Sequence, residues 1–197
     1  MNTALLVIDV QQILSSGKYA VFESRQVIDR INRVIQMARD AGAPVVVIQH
    51  EEQDGPMKFG SDGWKLAPEL HVLPSDILVR KTTPDSFHDT ELQAVLEGRK
   101  VEKLVICGFQ SEFCVDSTTR GALALGYPVT LVADGHSTLD NGVLQAKQIS
   151  AHHNETLRMM ESFGPRVETI PAADVRIGTW RLENRADALQ ATPVPLE

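Results

Sequence analysis

Only two cysteines, Cys107 and Cys114, occur in 197 residues. They stand close together in different local settings and make no disulfide framework, so free thiols in a reducing, cytoplasmic compartment are expected. No apolar run approaches the ~20 residues that a membrane-spanning helix needs. The opening MNTALLVIDV lacks a basic segment and its short apolar run stops at Asp9, so no signal peptide is read. An excess of positive charge is also missing. The formal net charge is -7, which argues against nucleic acid or anionic membrane as partner. There is no internal repeat and no low-complexity tract. Neither DVQQILSSG nor GFQSEFC has the G-x-G-x-x-G spacing of a dinucleotide site.

What is present is a soluble-protein composition, 43% apolar and 23% charged, long enough for one domain with a sizeable core. Short β-branched runs at residues 4–8, 45–48, 77–79, 104–107, 127–132 and 167–169 read as buried strands. Between them, helical spacing of Val27, Ile28, Ile31, Val34, Ile35 and Ala38 predicts a helix over 23–41. Further helices are predicted over 90–97, behind Cys114, and over about 142–163. This alternation predicts a three-layer α/β/α sandwich with a mainly parallel six-stranded sheet. Residues 51–75, rich in Gly, Pro and charge, read as a long excursion of functional rather than regular character.

The stretch LVICGFQSEFCV is a buried strand, a glycine break and a helix start. Cys107 lies in the apolar run and reads as core. Cys114 falls in the first turn of the following helix, where unpaired N–H groups and the dipole favour a thiolate, and is a candidate nucleophile. In such sheets ligands bind beyond the carboxyl ends of the strands. Two further strands end there in chemically useful residues, Asp9 and Lys81. Each has an ordinary explanation as well, Asp9 as a turn cap and Lys81 as a surface charge. Acting together, a carboxylate takes the thiol proton and later hands it to a leaving amine. An ammonium keeps that carboxylate ionised, and backbone N–H groups of the Cys114 turn receive an oxyanion.

LLVIDVQ, DILVRKTTPDSFHDTEL, LVICGFQSEFCVDSTTRGALALGYPVTLVADG and the late helix with HHNETL together resemble the isochorismatase-like cysteine hydrolase family, which includes nicotinamidases. The resemblance runs over about residues 3–171, leaving 172–197 as a tail that is frayed or packed on a neighbouring subunit. It implies a catalytic triad of Asp9, Lys81 and Cys114 and a thioester on Cys114. It also implies a cis peptide between Phe109 and Gln110, an oxyanion hole from the amides of Gln110 and Cys114, and assembly as a homodimer or homotetramer. Ser111-Glu112 stands where the family usually has Thr-Asp.

Nicotinamidases carry an Asp-x-His and further histidines around a metal. QHEEQDG gives His50 no such spacing and His71 stands alone, so no metal and no other cofactor is expected. Gln11, Trp64, Phe87 and Phe113 are candidates for contact with a small-molecule substrate, although each also suits a turn, core or interface. Asp134 reads as structural. The leading expectation is hydrolysis of a carbon–nitrogen bond in a small amide or ureido compound. The alternatives are a vinyl-ether hydrolase that does not need the thiol, and a non-catalytic binding module on the same fold.

Overall fold

The computed structural model describes residues 1–178. Its six strands are β1 (Thr3–Ile8), β2 (Val45–His50), β3 (Ile77–Lys81), β4 (Lys103–Phe109), β5 (Val129–Ser137) and β6 (Val167–Ile170). They form one parallel sheet in the order β3-β2-β1-β4-β5-β6. Every residue of β1 is buried, as expected of a central strand covered on both faces. The winding reverses between β1 and β4, and in such sheets a crevice opens at the carboxyl ends on either side of that reversal.

The helices are α1 (Gln12–Ser15), α2 (Ser24–Asp40), α3 (Leu92–Gly98), α4 (Asp116–Ala124) and α5 (Ala146–Arg158). The six apolar residues that predicted α2 are all buried, each contributing about 1.5–3 kcal/mol of gross hydrophobic stabilisation. α2 packs on β1, β2, β4 and β5, while α4 and α5 pack on β5. Right-handed crossovers on opposite sides of the reversal send α2 and α4 to opposite faces of the sheet, which makes three layers. No helix among the described residues is long and apolar enough to cross a membrane.

The end of β3, the end of β5 and the start of α5 differ from expectation, each for a local reason. β3 runs on to Lys81 with Val79 and Lys81 buried and Arg80 exposed, so Lys81 belongs to the strand and points inward by its two-residue period. β5 does not stop at Val132. The β4–β5 pairing jumps from Ile106↔Leu131 to Gly108↔His136, a bulge that lets the strand continue to Ser137. α5 starts at Ala146 because Asp140 and Asn141 side chains bind the backbone N–H groups of Val143, Leu144 and Ala146. Gln148 also accepts from the Gln145 N–H at 3.0 Å, so the chain is captured in a turn before the helix begins.

The excursion over 51–75 carries no regular element, only isolated bridges Gln11↔Leu66 and Glu52↔Lys58. Beyond β6, Ala172 and Val175 pack into the same core, and the Ala172 N–H donates to Asp134 at 2.7 Å. The start of the tail thus packs on the core of its own chain. The rest of the expectation for 172–197 lies outside the described residues. Asp134 is architectural here, tied also to Arg30.

Candidate active site

The register of the sheet assembles the site. β1 ends at Ile8, level with Ile48 on one side and Gly108 on the other, and β2–β3 pairing sets His50 beside Lys81. The first residue past β1, the last pair of β2–β3 and the turn after β4 therefore arrive at one point. Asp9 turns the chain there at φ 51°, a left-handed conformation that Asp tolerates.

Lys81 donates from Nζ to Asp9 Oδ2 at 2.7 Å and to the Thr83 carbonyl at 3.1 Å, and stands 3.4 Å from His50 Nδ1. The side chains of Asp9 and Lys81 are essentially closed to solvent. Burial opposes the charge of Lys81, but the Asp9 carboxylate at its side outweighs it and the ammonium is held above its ordinary value. Asp9 Oδ1 is buried with no hydrogen-bond partner among the described residues. Cys114 Sγ, a carboxylate oxygen of Asp9 and a ring nitrogen of His50 lie within 4.8 Å of one another.

The thiol of Cys114 differs from the expectation of a resting thiolate. Burial and the negative charge of Asp9 push its pKa well above the ordinary cysteine range, against the pull of Lys81. It is a neutral thiol at rest, beside a carboxylate able to take its proton. Cys107 is a buried core thiol, as expected, and its Sγ–H points at the Leu6 carbonyl.

Cys114 stands in a π-helical turn, Ser111–Val115, that runs straight into α4. The Phe109–Gln110 peptide is cis. The amides of Phe113 and Val115 both donate to the Gln110 carbonyl, at 3.2 and 3.1 Å, which curls the turn around that oxygen. β4 reaches this turn through Gly108 at φ 125°, where a Cβ would collide with the Ile8 backbone; only glycine allows β4 and β1 to approach so closely.

The four candidate substrate contacts separate. Gln11 is fully buried and its amide serves the scaffold. Nε2 donates to the His50 and Trp64 carbonyls at 2.9 and 2.8 Å, and Oε1 accepts from the His50 N–H at 2.9 Å. It therefore pins the excursion to the end of β2, with no N–H of its amide left for a ligand. Trp64 packs edge-on against Phe59 at 4.8 Å, its indole N–H buried without a partner among the described residues. Phe87 is partly buried, stacked on Tyr127 and packed against the core. Phe113, next to Cys114, is half exposed.

Sequence spacing missed His50. Its only signal was its place at a strand end, and its partners come from neighbouring strands rather than from nearby residues. With Asp9 and Cys114 it offers three possible metal ligands. The Lys81 ammonium already engages Asp9 Oδ2 and approaches His50 Nδ1, so the charge a cation would supply is supplied by the protein. Burial and then Lys81 lower the pKa of His50, leaving a neutral ring facing the ammonium. His71 is remote, its backbone held by Asn32 and Arg39.

A partly buried thiol beside a buried acid and amine, at the carboxyl edge of a parallel α/β sheet, defines a hydrolase-like site. The isochorismatase domain model matches residues 3–170, and the chain belongs to the isochorismatase family. It is 37% identical over 195 residues to a streptothricin hydrolase of Streptomyces noursei, covering 98% of this chain and 64% of that protein. The chain thus spans less than two thirds of that relative. A ureidoacrylate amidohydrolase of Stutzerimonas stutzeri is 28% identical over 192 residues, covering 79% of this chain and 77% of its own. A crystal structure of an isochorismatase family protein is 38% identical with a TM-score of 0.78, over 86% of this chain and 98% of that one. Amidohydrolases are among the relatives of this family member.

Proposed function

We propose that the chain is a cysteine amidohydrolase that cleaves a carbon–nitrogen bond of a small carboxamide or ureido compound without a metal. The observation carrying this reading is the meeting of a buried Asp9–Lys81 pair with the partly buried thiol of Cys114. The amidohydrolases among the relatives support it.

In this mechanism the neutral thiol is the ground state and becomes nucleophilic only as substrate arrives. Asp9 takes the sulfur's proton while the Sγ–C bond forms and the carbonyl π electrons move to oxygen. The N–H groups of Gln110 and Cys114 receive that oxyanion. Lys81 holds Asp9 by its ammonium–carboxylate hydrogen bond beforehand and offsets charge in the cluster afterwards. Collapse expels the amine, which takes the proton from Asp9 and leaves a thioester on Cys114. Asp9 then activates a water that releases the acid. Trp64 and Phe113 line the approach, and a homodimer or homotetramer in a reducing compartment is the proposed working form.

The test is a screen of ureidoacrylate, N-carbamoylsarcosine, nicotinamide, streptothricin and simple amides, reading released ammonia or new amine. A hit should show an acyl adduct on Cys114 by mass spectrometry, persist in EDTA, and vanish in Cys114→Ala with circular dichroism unchanged. Turnover that survives Cys114→Ala would instead favour the vinyl-ether type of hydrolysis.

A further inference from the structure

Behind the nucleophile turn lies a second polar cluster that the triad does not use. Ser111 Oγ is 2.7 Å from His136 Nδ1 and 2.9 Å from Ser150 Oγ. His136 Nε2 is 3.0 Å from Asn154 Oδ1, and Asn154 Nδ2 donates to the Ala133 carbonyl at 2.9 Å. These groups come from the turn after β4, from β5 and from α5.

The chemistry of each atom gives the cluster a single direction. Asn154 spends an N–H on Ala133, so its oxygen faces His136 and can only accept. His136 therefore carries its proton on Nε2, and its bare Nδ1 accepts from the Ser111 hydroxyl. With that proton committed, Ser111 accepts from Ser150. Burial lowers the pKa of His136 and keeps the ring neutral; His153 pushes the same way, Asp134 the other.

The bulge in β5 builds this arrangement. It carries His136 level with Gly108, and it takes the Ala133 carbonyl to where Asn154 can reach it. Gly135 permits the bend, since a Cβ there would lie 2.6 Å from Val132 Cγ1. Ser111 is fully buried, so the resemblance to a serine–histidine nucleophile pair is superficial; no substrate reaches it.

We infer that Ser111 and His136 are positioning residues. The chain from Ser150 through Ser111, His136 and Asn154 to Ala133 clamps the 110–114 turn to β5 and α5, so that its backbone N–H groups meet the oxyanion of the reacting carbonyl. The inference rests on the cysteine hydrolase reading above. Its consequence is selective: the clamp governs stabilisation of the tetrahedral oxygen, while thiol alkylation, which forms no oxyanion, depends on Asp9, Lys81 and Cys114.

The test uses the full chain and two probes. Iodoacetamide alkylates Cys114. Butanal adds to it reversibly as a thiohemiacetal: the Sγ–C bond forms, the C=O π bond breaks, and the sulfur's proton passes through Asp9 to the former carbonyl oxygen. Its oxygen takes the oxyanion position, and butanal affinity is read as protection from alkylation. Ser111→Ala should alkylate within about twofold of wild type, yet need about tenfold more butanal for the same protection, because small displacements of oxyanion donors cost at least that much. Ser111→Thr, which keeps the hydroxyl, should restore protection, and His136→Ala should behave as Ser111→Ala.

Equal butanal protection in wild type and Ser111→Ala overturns the inference alone. A wild type that butanal does not protect overturns the catalytic reading and the inference with it. Should Ser111→Ala not fold, the imidazole nitrogen spectrum of wild type decides. Protonated Nε2 and bare Nδ1 on His136 are expected, and the opposite tautomer refutes the clamp.

Discussion

The Nζ of Lys81 donates to Oδ2 of Asp9 across 2.7 Å with neither side chain open to water. In that setting each charge depends on the other. Removing one partner leaves the other buried and uncompensated, a larger loss than the net value of the pair. Lys81→Met should therefore destabilise the fold by about 3–5 kcal/mol, read as a lower urea midpoint. Turnover of any substrate found should drop at least about a thousandfold, since members of such a triad act as a unit. A Lys81→Met protein with wild-type stability would mean that the Asp9–Lys81 pair does not support the fold.

Gln11 makes a prediction of the opposite kind, stability without chemistry. Gln11→Leu keeps the volume but strips partners from the His50 backbone and the Trp64 carbonyl. The cost should be about 1–3 kcal/mol, with faster proteolytic cutting inside 51–75 than in wild type. Cys114 alkylation in the intact protein should stay close to the wild-type rate. A large loss of thiol reactivity with unchanged proteolysis would place Gln11 in the site instead.

Gly108→Ala is expected to fail outright. The added Cβ meets the Ile8 backbone, and φ 125° is closed to alanine. β1 and β4 would have to separate at the point where Asp9 and the nucleophile turn converge. Insoluble expression, or a melting transition lower by more than ten degrees or so, is the expected result. A soluble variant of normal stability would contradict the close β1–β4 approach.

The histidines set the pH dependence of stability on the acid side. His50 is held below its ordinary 6.5 by burial and then by Lys81, and His136 chiefly by burial. Below pH 6.5 the unfolded chain binds protons at these positions and the folded chain does not, so stability falls with pH until the folded values are passed. Asp116 acts lower down. Against its burial, His153 and Arg120 keep its carboxyl below 3.8, so its contribution is present above that pH and lost as pH drops further. Thermal midpoints should decline from about pH 6.5 to about pH 5, less steeply in His136→Gln. A flat profile over that interval would show both rings to be freely protonated.

Much of the fold was legible because burial leaves a periodic trace. The spacing of Val27, Ile28, Ile31, Val34, Ile35 and Ala38 can bury only one face of a helix, and β-branched runs such as ALLVI fit only a strand covered on both sides. Strand ends were harder to place. Lys81 reads as the end of an apolar run, yet it lies within β3 because the burial of one charged side chain is offset by Asp9, a partner 72 positions away. β5 ran past its predicted end because the bulge at 133–135 is stabilised by Asn154 on a distant helix, and pattern along the chain does not carry that.

The amino-acid sequence by itself determined the class of sheet, the strand edge at which chemistry gathers, and the three residue types meeting there, since these follow from hydrophobic period and side-chain chemistry. Tertiary structure decided the rest. It put His50 next to Lys81, assigned Gln11 to the scaffold, made Cys114 a neutral thiol rather than a thiolate, and set a hydrogen-bonded histidine behind the nucleophile turn. Each of these depends on register between strands or on the loss of water around a charge, and those are properties of the folded neighbourhood rather than of any stretch of chain.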